Sequence, residues 1–308
     1  MIKMNSRIFL AGHNGLVGSA VYRKLRTKGY KNIITISRKK LDLANQEKTF
    51  KFIKKIKPDF IFICAAKVGG ILANNKNKSE FIYQNLQIQN NLIHGAFLSG
   101  VKRLIFLGSS CVYPKNYNKP IKESYLLKGE LEKTNEPYAI AKIAGIKLCE
   151  SYNYNYKTNF TCLMPTNTYG PNDNYNPNSS HFIPAMIKKA HDIKIKKKKD
   201  FIVWGNGNVK REVMYVDDLA DACVFFMNKN TKKSLINIGT GKDLTINEYA
   251  KKIMRIIDVK AKIKHDTSKP NGTKRKVLDI SLAMNMGWTA KTSLEEGIRK
   301  AYKAFINK

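Results

Sequence analysis

The sequence predicts an α/β fold in which a doubly wound parallel sheet is joined to a smaller C-terminal α/β substrate domain. Two observations indicate the sheet. An apolar run at 7–11 enters a glycine-rich turn, which is followed by an amphipathic stretch to Lys28. Apolar runs then alternate with helical segments, which is the order of a Rossmann-type sheet. The predicted strands are 7–11, 32–36, 60–64, 103–108 and 160–164, and the predicted helices include 81–99 and 138–152.

The glycine turn has the spacing Gly-x-x-Gly-x-x-Gly rather than the commoner Gly-x-Gly-x-x-Gly. Glycines at such a turn allow positive φ angles and the close approach of a pyrophosphate, which lies against the start of the next helix. An ordinary tight turn is the alternative. The flanking strand and helix favour a dinucleotide site formed by Gly12, His13, Asn14, Gly15, Leu16, Val17 and Gly18.

The end of the second predicted strand indicates which dinucleotide is bound. An NAD-preferring protein usually carries an acidic residue there to hold the ribose 2′-hydroxyl. This chain instead has Ser37-Arg38-Lys39-Lys40. A hydroxyl and cations suit a 2′-phosphate, so the sequence favours NADP(H), with Arg38 as the stronger signal and Lys39 and Lys40 as weaker ones.

Length and loop content suggest two parts of the chain. A chain of 308 residues with 43% hydrophobic residues can bury a substantial core. A loop-rich stretch follows Pro165, so we predict a cofactor domain at 1–168, with about 213–241 packing back onto it, and a sugar-nucleotide domain at 169–308. The spacing of apolar residues at 246–257 predicts a helix. No apolar run is long enough to cross a bilayer, so a cytoplasmic protein without a membrane partner is expected.

The formal net charge is +33, from 56 Lys+Arg and 23 Asp+Glu. Such a charge can indicate nucleic acid as a partner. The cations are spread along the whole chain, however, and the densest run, at 194–199, has no interleaved aromatic residues. We therefore predict no nucleic-acid partner. The five cysteines are scattered without metal-site spacing, so neither a disulfide framework nor a metal site is expected.

Tyr138 and Lys142 are four residues apart, on one face of a helix predicted to begin at Asn135-Glu-Pro137. A phenol titrates near pH ~10, and a neighbouring ammonium favours the phenolate. The pair therefore predicts a tyrosine acid tuned toward neutrality, and the alternative is a buried tyrosine with an extended lysine. Upstream, Ser109-Ser110-Cys111 adds hydroxyl groups and a thiol.

The chain resembles the GDP-L-fucose synthases, a family of extended short-chain dehydrogenases/reductases, over essentially its whole length. The resemblance is carried by Ala65-Ala-Lys-Val-Gly-Gly-Ile71, the segments 81–86, 107–115 and 135–153, Met164-Pro-Thr-Asn167, Ser180-His181, Val203-Trp-Gly205, Arg211-Glu212, 216–218 and 268–276. It implies a homodimer built through paired helices of the cofactor domain, at 81–99 and 138–152.

The resemblance also implies the chemistry. In GDP-4-keto-6-deoxy-D-mannose the ketone acidifies the protons on C3 and C5. Cys111 and His181 would invert these carbons, while Ser109 and Tyr138 hydrogen-bond the developing oxyanion. NADPH would then reduce C4, with Tyr138 and Lys142 supplying the proton, to give GDP-L-fucose. The alternatives are that Cys111 is a small buried hydrophobic residue and that His181 bonds only to backbone.

Binding residues follow from the same resemblance. Besides the glycine turn, those implied for the cofactor are Arg38, Lys39, Leu41, Leu107, Gly108, Ser109, Ser110, Lys142, Pro165, Thr166, Asn167, Thr168 and His181. Those implied for the GDP-sugar are Lys189, Trp204, Arg211 and Asn271. The alternatives are that Lys189 is an ordinary surface lysine, that Trp204 is a core aromatic residue, and that Arg211 forms an ion pair with Glu212 or Asp217. Asn271 departs from the family pattern, which has aspartate there.

Three other functions compete with this interpretation. An epimerase-reductase acting on a 3-deoxy GDP-4-keto sugar, as in colitose formation, would use the same residues. A nucleic-acid-binding protein would use the positive charge, and a Rossmann protein without catalysis would only sense NADP(H). The intact set Ser109, Cys111, Tyr138, Lys142 and His181 argues against the last two.

Overall fold

The computed structural model describes residues 2–176, 179–269 and 272–307. The strands of these residues are β1 (Ile8–Ala11), β2 (Ile33–Ile34), β3 (Phe60–Ile63), β4 (Arg103–Leu107), β5 (Phe160–Pro165), β6 (Asn167–Tyr169), β7 (Asp200–Trp204), β8 (Lys210–Tyr215), β9 (Leu235–Ile238), β10 (Asp243–Thr245), β11 (Lys262–Asp266) and β12 (Arg275–Lys276). The helices are α1 (Leu16–Thr27), α2 (Gln46–Ile56), α3 (Ile71–Lys76), α4 (Lys78–Leu98), α5 (Glu136–Tyr156), α6 (Phe182–Lys196), α7 (Val216–Asn228), α8 (Ile246–Ile257), α9 (Ser281–Asn285) and α10 (Leu294–Ile306). Two short 3-10 turns lie at Ser110–Val112 and Glu123–Tyr125.

The main body is a six-stranded parallel sheet in the order β2-β1-β3-β4-β5-β9. Successive side chains of a strand point to opposite faces. In β1, Ile8 and Leu10 pack on the face covered by α1 and α7, while Phe9 and Ala11 pack on the face covered by α2, α4 and α5. Both faces are buried, as the near-continuous apolar strands require. The predicted doubly wound α/β fold is confirmed.

Most predicted elements lie within a few residues of those observed, but the second strand is much shorter than expected. We predicted 32–36, whereas β2 covers only Ile33–Ile34. This strand is at the sheet edge and pairs with β1 alone, so little holds it extended. Beyond it the chain turns, since the backbone N–H groups of Lys40 and Leu41 both donate to the Ser37 carbonyl.

The remaining strands form two small sheets beside the main body. β10, β8 and β12 are adjacent, with β6 also paired to β8, and β7 pairs with β11. Helices α6, α8 and α10 enclose a separate apolar cluster around Ile187, Phe201, Tyr249, Ile253 and Ile298. Helix α7 packs against α1, and β9 completes the main sheet. The domain boundaries inferred from the sequence stay a prediction.

Across the described ranges, none of the helices combines the length and apolar character needed to span a bilayer. Where in the cell the protein works stays a prediction.

The buried carboxylate of Glu212 joins three segments at the junction of these sheets. One of its oxygens accepts hydrogen bonds from the backbone N–H groups of Thr240 at 2.5 Å and Gly241 at 2.8 Å. The other accepts from the N–H of Leu278 at 2.8 Å. Its backbone carbonyl accepts from the Thr166 hydroxyl at 3.0 Å. Burial raises the pKa of Glu212, and the backbone hydrogen bonds oppose that rise.

We expect Glu212→Gln to lower the free energy of unfolding by about 1–3 kcal/mol, measured by urea denaturation. Glutamine has the same shape, but its NH₂ group would face a backbone N–H donor and leave it without an acceptor. The matched control is Glu47→Gln, which breaks only an exposed pair with Lys51 and is expected to change stability by less than ~1 kcal/mol. Equal unfolding midpoints for the two variants would contradict this role of Glu212.

Candidate active site

The predicted cofactor loops meet at one edge of the main sheet. The turn at 12–18 follows β1, the segment 107–110 closes β4, and the segment 165–168 closes β5. Because these strands are parallel, their carboxyl ends lie at the same edge, where ligands of such sheets bind. The structure therefore brings together three segments that are far apart in the chain.

The glycine turn has the geometry that close approach of a ligand needs. Gly12 has a φ of +88°, and a Cβ there would lie 2.6 Å from the backbone nitrogen of Ala65. A Cβ at Gly18 would collide with the Gly12 carbonyl oxygen. Both positions therefore require glycine. Gly15 is the residue before α1 and makes only an ordinary contact at its Cβ position.

This turn fits a dinucleotide. Helix α1 begins without a side-chain cap, so its first N–H groups are available to a pyrophosphate. The buried Nδ1 of His13 has no hydrogen-bond partner among the described residues. Arg38 and Lys39 are exposed beyond β2, and neither forms an ion pair within the described ranges, whereas Leu41 is buried. The two cations can receive an additional phosphate.

Ser109 and Cys111 lie in the turn after β4. The Ser109 hydroxyl accepts a hydrogen bond from the Cys111 backbone N–H at 3.3 Å. The Cys111 thiol is partly exposed and accepts a hydrogen bond from the side-chain amide of Asn135 at 3.4 Å. Asn135, where the sequence predicts that a helix begins, does precede α5, but its side chain makes no capping bond.

Tyr138 and Lys142 lie on one face of α5, as predicted, but the expected tuning of Tyr138 is wrong. Burial raises the pKa of the phenol well above its usual range, although a hydrogen bond with Ser109 opposes this. The Lys142 ammonium lies 5.9 Å from the Tyr138 ring centre and donates to the Leu107 carbonyl at 2.8 Å. Burial lowers the pKa of Lys142 to about 8. Tyr138 is therefore a protonated acid at neutral pH.

His181 immediately precedes α6, in extended backbone. Burial lowers the pKa of its imidazole, so the neutral form is favoured. The adjacent hydroxyl of Ser180 is buried without a partner among the described residues. The residues before His181 are fixed to the segment after β3, because the Gly70 N–H donates to the Ser179 carbonyl at 3.0 Å.

Two of the residues predicted for the nucleotide, Lys189 and Trp204, lie together. Trp204 is 41% exposed, and the Lys189 ammonium lies 5.4 Å from its ring while donating to the Ile202 carbonyl. Lys269, which the sequence did not single out, lies 5.8 Å from the same ring. Burial lowers the pKa of Lys189, as it does that of Arg211.

Arg211 does not form the ion pair offered as its alternative. Its guanidinium donates to the Thr273 carbonyl at 2.5 Å and to its neighbour's carbonyl at 2.8 Å. Glu212 is bound to backbone N–H groups, and Asp217 pairs with Arg23. The Cys111 thiol is near enough to Arg211 and to Tyr138 to act electrostatically on each. Asn271 lies outside the described residues.

In the 165–168 segment, Thr166 and Asn167 both donate to the Glu212 carbonyl, at 3.0 and 3.5 Å. Thr168 lies in β6, which pairs with β8. The predicted cofactor loop is therefore joined to the strand that carries Arg211. This connection and the roles of Asn135 and Glu212 depend on side chains distant in sequence, so no local pattern could have revealed them.

The fold and these loops define a Rossmann-type nucleotide-binding protein of the dehydrogenase and epimerase class. Residues 8–239 match the model of the NAD dependent epimerase/dehydratase family. The chain belongs to this family.

Individual relatives are similar to this chain over nearly its whole length. A GDP-L-fucose synthase of Sinorhizobium fredii is 50% identical over 98% of this chain and 96% of its own length. A putative GDP-L-fucose synthase 2 of Arabidopsis thaliana is 46% identical over 99% and 93%. A GDP-L-colitose synthase of Yersinia pseudotuberculosis is 41% identical over 98% of each. The resemblance seen in the sequence is confirmed.

Solved structures support the same family assignment. A GDP-mannoheptose C4 reductase from Campylobacter jejuni with NADP bound is 37% identical, with a TM-score of 0.90 over 99% of this chain and all of the other. A GDP-L-fucose synthetase from Naegleria fowleri bound to NADP is 26% identical, with a TM-score of 0.91 over 100% of this chain and 94% of the other.

Proposed function

We propose that the protein is a bifunctional epimerase-reductase that converts GDP-4-keto-6-deoxy-D-mannose to GDP-L-fucose with NADPH. The observation that carries this proposal is the Cys111 thiol, which accepts a hydrogen bond from the Asn135 amide at 3.4 Å at the start of the helix that carries Tyr138. A reductase alone needs the tyrosine and lysine, whereas proton transfer at carbon needs a further base such as a thiolate. The names and identities of the curated relatives support the same reaction.

Epimerisation comes first. The 4-ketone makes the protons on C3 and C5 acidic, and Cys111 removes or returns a proton on one face of the ring, with Asn135 stabilising its thiolate. His181, whose pKa is lowered by burial, supplies the second acid–base group. The hydroxyl groups of Ser109 and Tyr138 donate to the oxygen on C4 as negative charge develops there.

Reduction follows. When bound, NADPH supplies the hydride that C4 accepts. Tyr138 is protonated at neutral pH because burial raises its pKa, so it can donate its proton to the oxygen on C4. The nearby Ser109 hydroxyl opposes part of that rise, and the Phe81 ring packs edge-on against the phenol ring. Lys142, fixed by the Leu107 carbonyl, holds the nicotinamide ribose and provides a positive charge next to the phenolate that remains.

Different residues of the chain hold the cofactor and the GDP-sugar. We assign the cofactor to the glycine turn, to Arg38 and Lys39, and to the segments 107–110 and 165–168. This assignment corresponds to a cofactor domain at 1–168, assisted by about 213–241. Lys189, Trp204 and Arg211 hold the GDP end in a domain at 169–308, since cations and an exposed indole suit a diphosphate and a base.

We also propose a homodimer built through α4 and α5, which pack side by side. Large apolar side chains remain exposed on both helices, among them Tyr83 at 63% and Ile140 at 43%. A second copy would remove them from water. Sedimentation equilibrium at micromolar concentration tests this, and a single species with the mass of one chain, 35.1 kDa, contradicts it.

The test of the reaction is to supply GDP-4-keto-6-deoxy-D-mannose and NADPH in heavy water and to analyse the product by NMR. GDP-L-fucose carrying deuterium at C3 and C5 is expected. A clearly faster reaction with a 3-deoxy GDP-4-keto sugar would favour the function of the colitose relative. Salt-dependent DNA binding without NADPH affinity, or NADPH binding without turnover of either sugar, would contradict the enzyme.

We expect the rate of reduction, measured as kcat/KM for NADPH consumption, to fall as the pH rises through about 8. The pKa of Lys142 is lowered to about 8 by burial, so the ammonium that assists Tyr138 is present below this pH and lost above it. Lys142→Arg is the matched control, because a guanidinium stays charged throughout. An identical alkaline decline in Lys142→Arg would show that another group titrates.

A further inference from the structure

The segment Lys67–Leu72, with the sequence Lys-Val-Gly-Gly-Ile-Leu, links the end of β3 to α3. It carries three exposed apolar side chains: Val68 is 62% exposed, Ile71 42% and Leu72 41%. Exposed apolar groups beside a polar site often form part of a ligand surface. The reaction proposed above gives this segment no role.

One end of the segment reaches the Tyr138 side of the site. A Cβ at Gly69 would lie 3.0 Å from the Ala73 Cβ and 3.2 Å from the Phe81 ring. The Phe81 ring in turn packs edge-on against Tyr138, with their centres 6.3 Å apart. The backbone at Gly69 is therefore one aromatic layer away from the catalytic phenol.

The other end reaches both His181 and Arg211. A Cβ at Gly70 would lie 2.6 Å from the carbonyl oxygen of Ser180, next to His181. The Ile71 Cδ1 atom is 3.8 Å from the Cβ position of Gly272, and that same position is 3.1 Å from the guanidinium of Arg211. The segment thus runs from the Phe81 ring next to Tyr138 to the residues next to His181 and Arg211.

The segment is also held rigidly, with its charged residue turned away. The side chain of Asn85, which is 2% exposed, accepts from the Lys67 N–H and donates to the Lys67 carbonyl, both at 3.0 Å. The Lys67 ammonium pairs with Glu80 on α4. Val68 and Ile71 are therefore presented at fixed positions, without a cation between them.

We propose that Val68 and Ile71 form an apolar wall of the sugar site, which contacts the deoxygenated C6 of the nucleotide-linked hexose and selects against a hydroxyl there. The inference rests on the proposed function. A sugar whose C4 lies at Tyr138 and whose diphosphate lies at Arg211 must occupy the interval that this segment borders. A valine or isoleucine contact favours a methyl group, and it cannot hydrogen-bond a hydroxyl that loses water there.

The test compares binding of GDP-6-deoxy-D-mannose and GDP-D-mannose, which differ only in the C6 hydroxyl. Neither carries the 4-ketone, so NADPH has nothing to reduce, and calorimetry can measure the binding of both sugars with NADPH present. We expect the unaltered protein to prefer the 6-deoxy sugar by about tenfold or more. Val68→Thr, which is isosteric, and Ile71→Asn are expected to reduce this preference about fivefold or more, with GDP affinity unchanged.

The matched control is Ile195→Thr, because Ile195 is 67% exposed on α6 and is expected to leave the preference unchanged. Both wall residues are exposed, and thermal unfolding checks that the variants fold. The proposed wall is contradicted if both variants keep the preference for the 6-deoxy sugar over GDP-D-mannose. It is also contradicted if the variants lose affinity equally for both sugars and for GDP. If the unaltered protein turns over the keto sugar and both variants keep its preference, only the apolar wall is contradicted. If the variants change the preference but the unaltered protein does not turn over the keto sugar, only the proposed reaction is contradicted.

Discussion

Replacing Tyr138 with phenylalanine is expected to slow NADPH-dependent reduction by about 10²–10⁴-fold while leaving proton exchange at the sugar carbons measurable. The substitution removes only a hydroxyl. That hydroxyl is the acid of the reduction, and burial raises its pKa so that the proton is present throughout the neutral range. In epimerisation it is one of two donors to the oxygen on C4, and the hydroxyl of Ser109 remains.

The two activities of Tyr138→Phe can be measured in one sample. NADPH absorbance reports the reduction, and NMR in heavy water reports deuterium entering C3 and C5. Tyr154→Phe is the matched control, because Tyr154 is on the same helix but is 79% exposed. Reduction at the unaltered rate in Tyr138→Phe would remove the phenol from the role of acid, whatever the exchange experiment shows.

The sequence predicts the main sheet well because its signals are local. The glycines at 12 and 18 are each required by a backbone approach within or beside one turn. The strands are short apolar runs because both sheet faces are covered. Local signals fail where pairing with other strands decides the length of a strand. Both residues of β2 are β-branched, yet β2 pairs on one side only and ends after Ile34.

The site was predictable as a set of residues but not in its electrostatics. The i, i+4 spacing places Tyr138 and Lys142 on one face, but it does not show that the ammonium is bound to the Leu107 carbonyl or that burial dominates the pKa of the phenol. Asn135 illustrates the same limit. Its position before a helix suggests a cap, whereas its actual acceptor is a thiol 24 residues earlier in the chain.

Replacing Cys111 with serine is expected to slow deuterium entry at the epimerised carbons by about 10²–10⁴-fold, with folding and NADPH binding retained. A thiol is a far stronger acid than an alcohol, so serine cannot supply a comparable amount of base near neutral pH. The substitution preserves the size of the side chain and a hydrogen-bond acceptor for Asn135. The reducing group, Tyr138, is unchanged, so NADPH consumption on the unepimerised ketone is expected to continue.

The product separates this role from a general loss of activity. If Cys111 is the base, the variant yields a reduced sugar that keeps the starting configuration and carries little deuterium. Cys223→Ser is the matched control: this buried cysteine lies on α7, where a serine hydroxyl can donate to a carbonyl one turn earlier. GDP-L-fucose formed by Cys111→Ser at an undiminished rate would assign the base to another group, and His181 would be the first to replace, since its imidazole is kept neutral by burial.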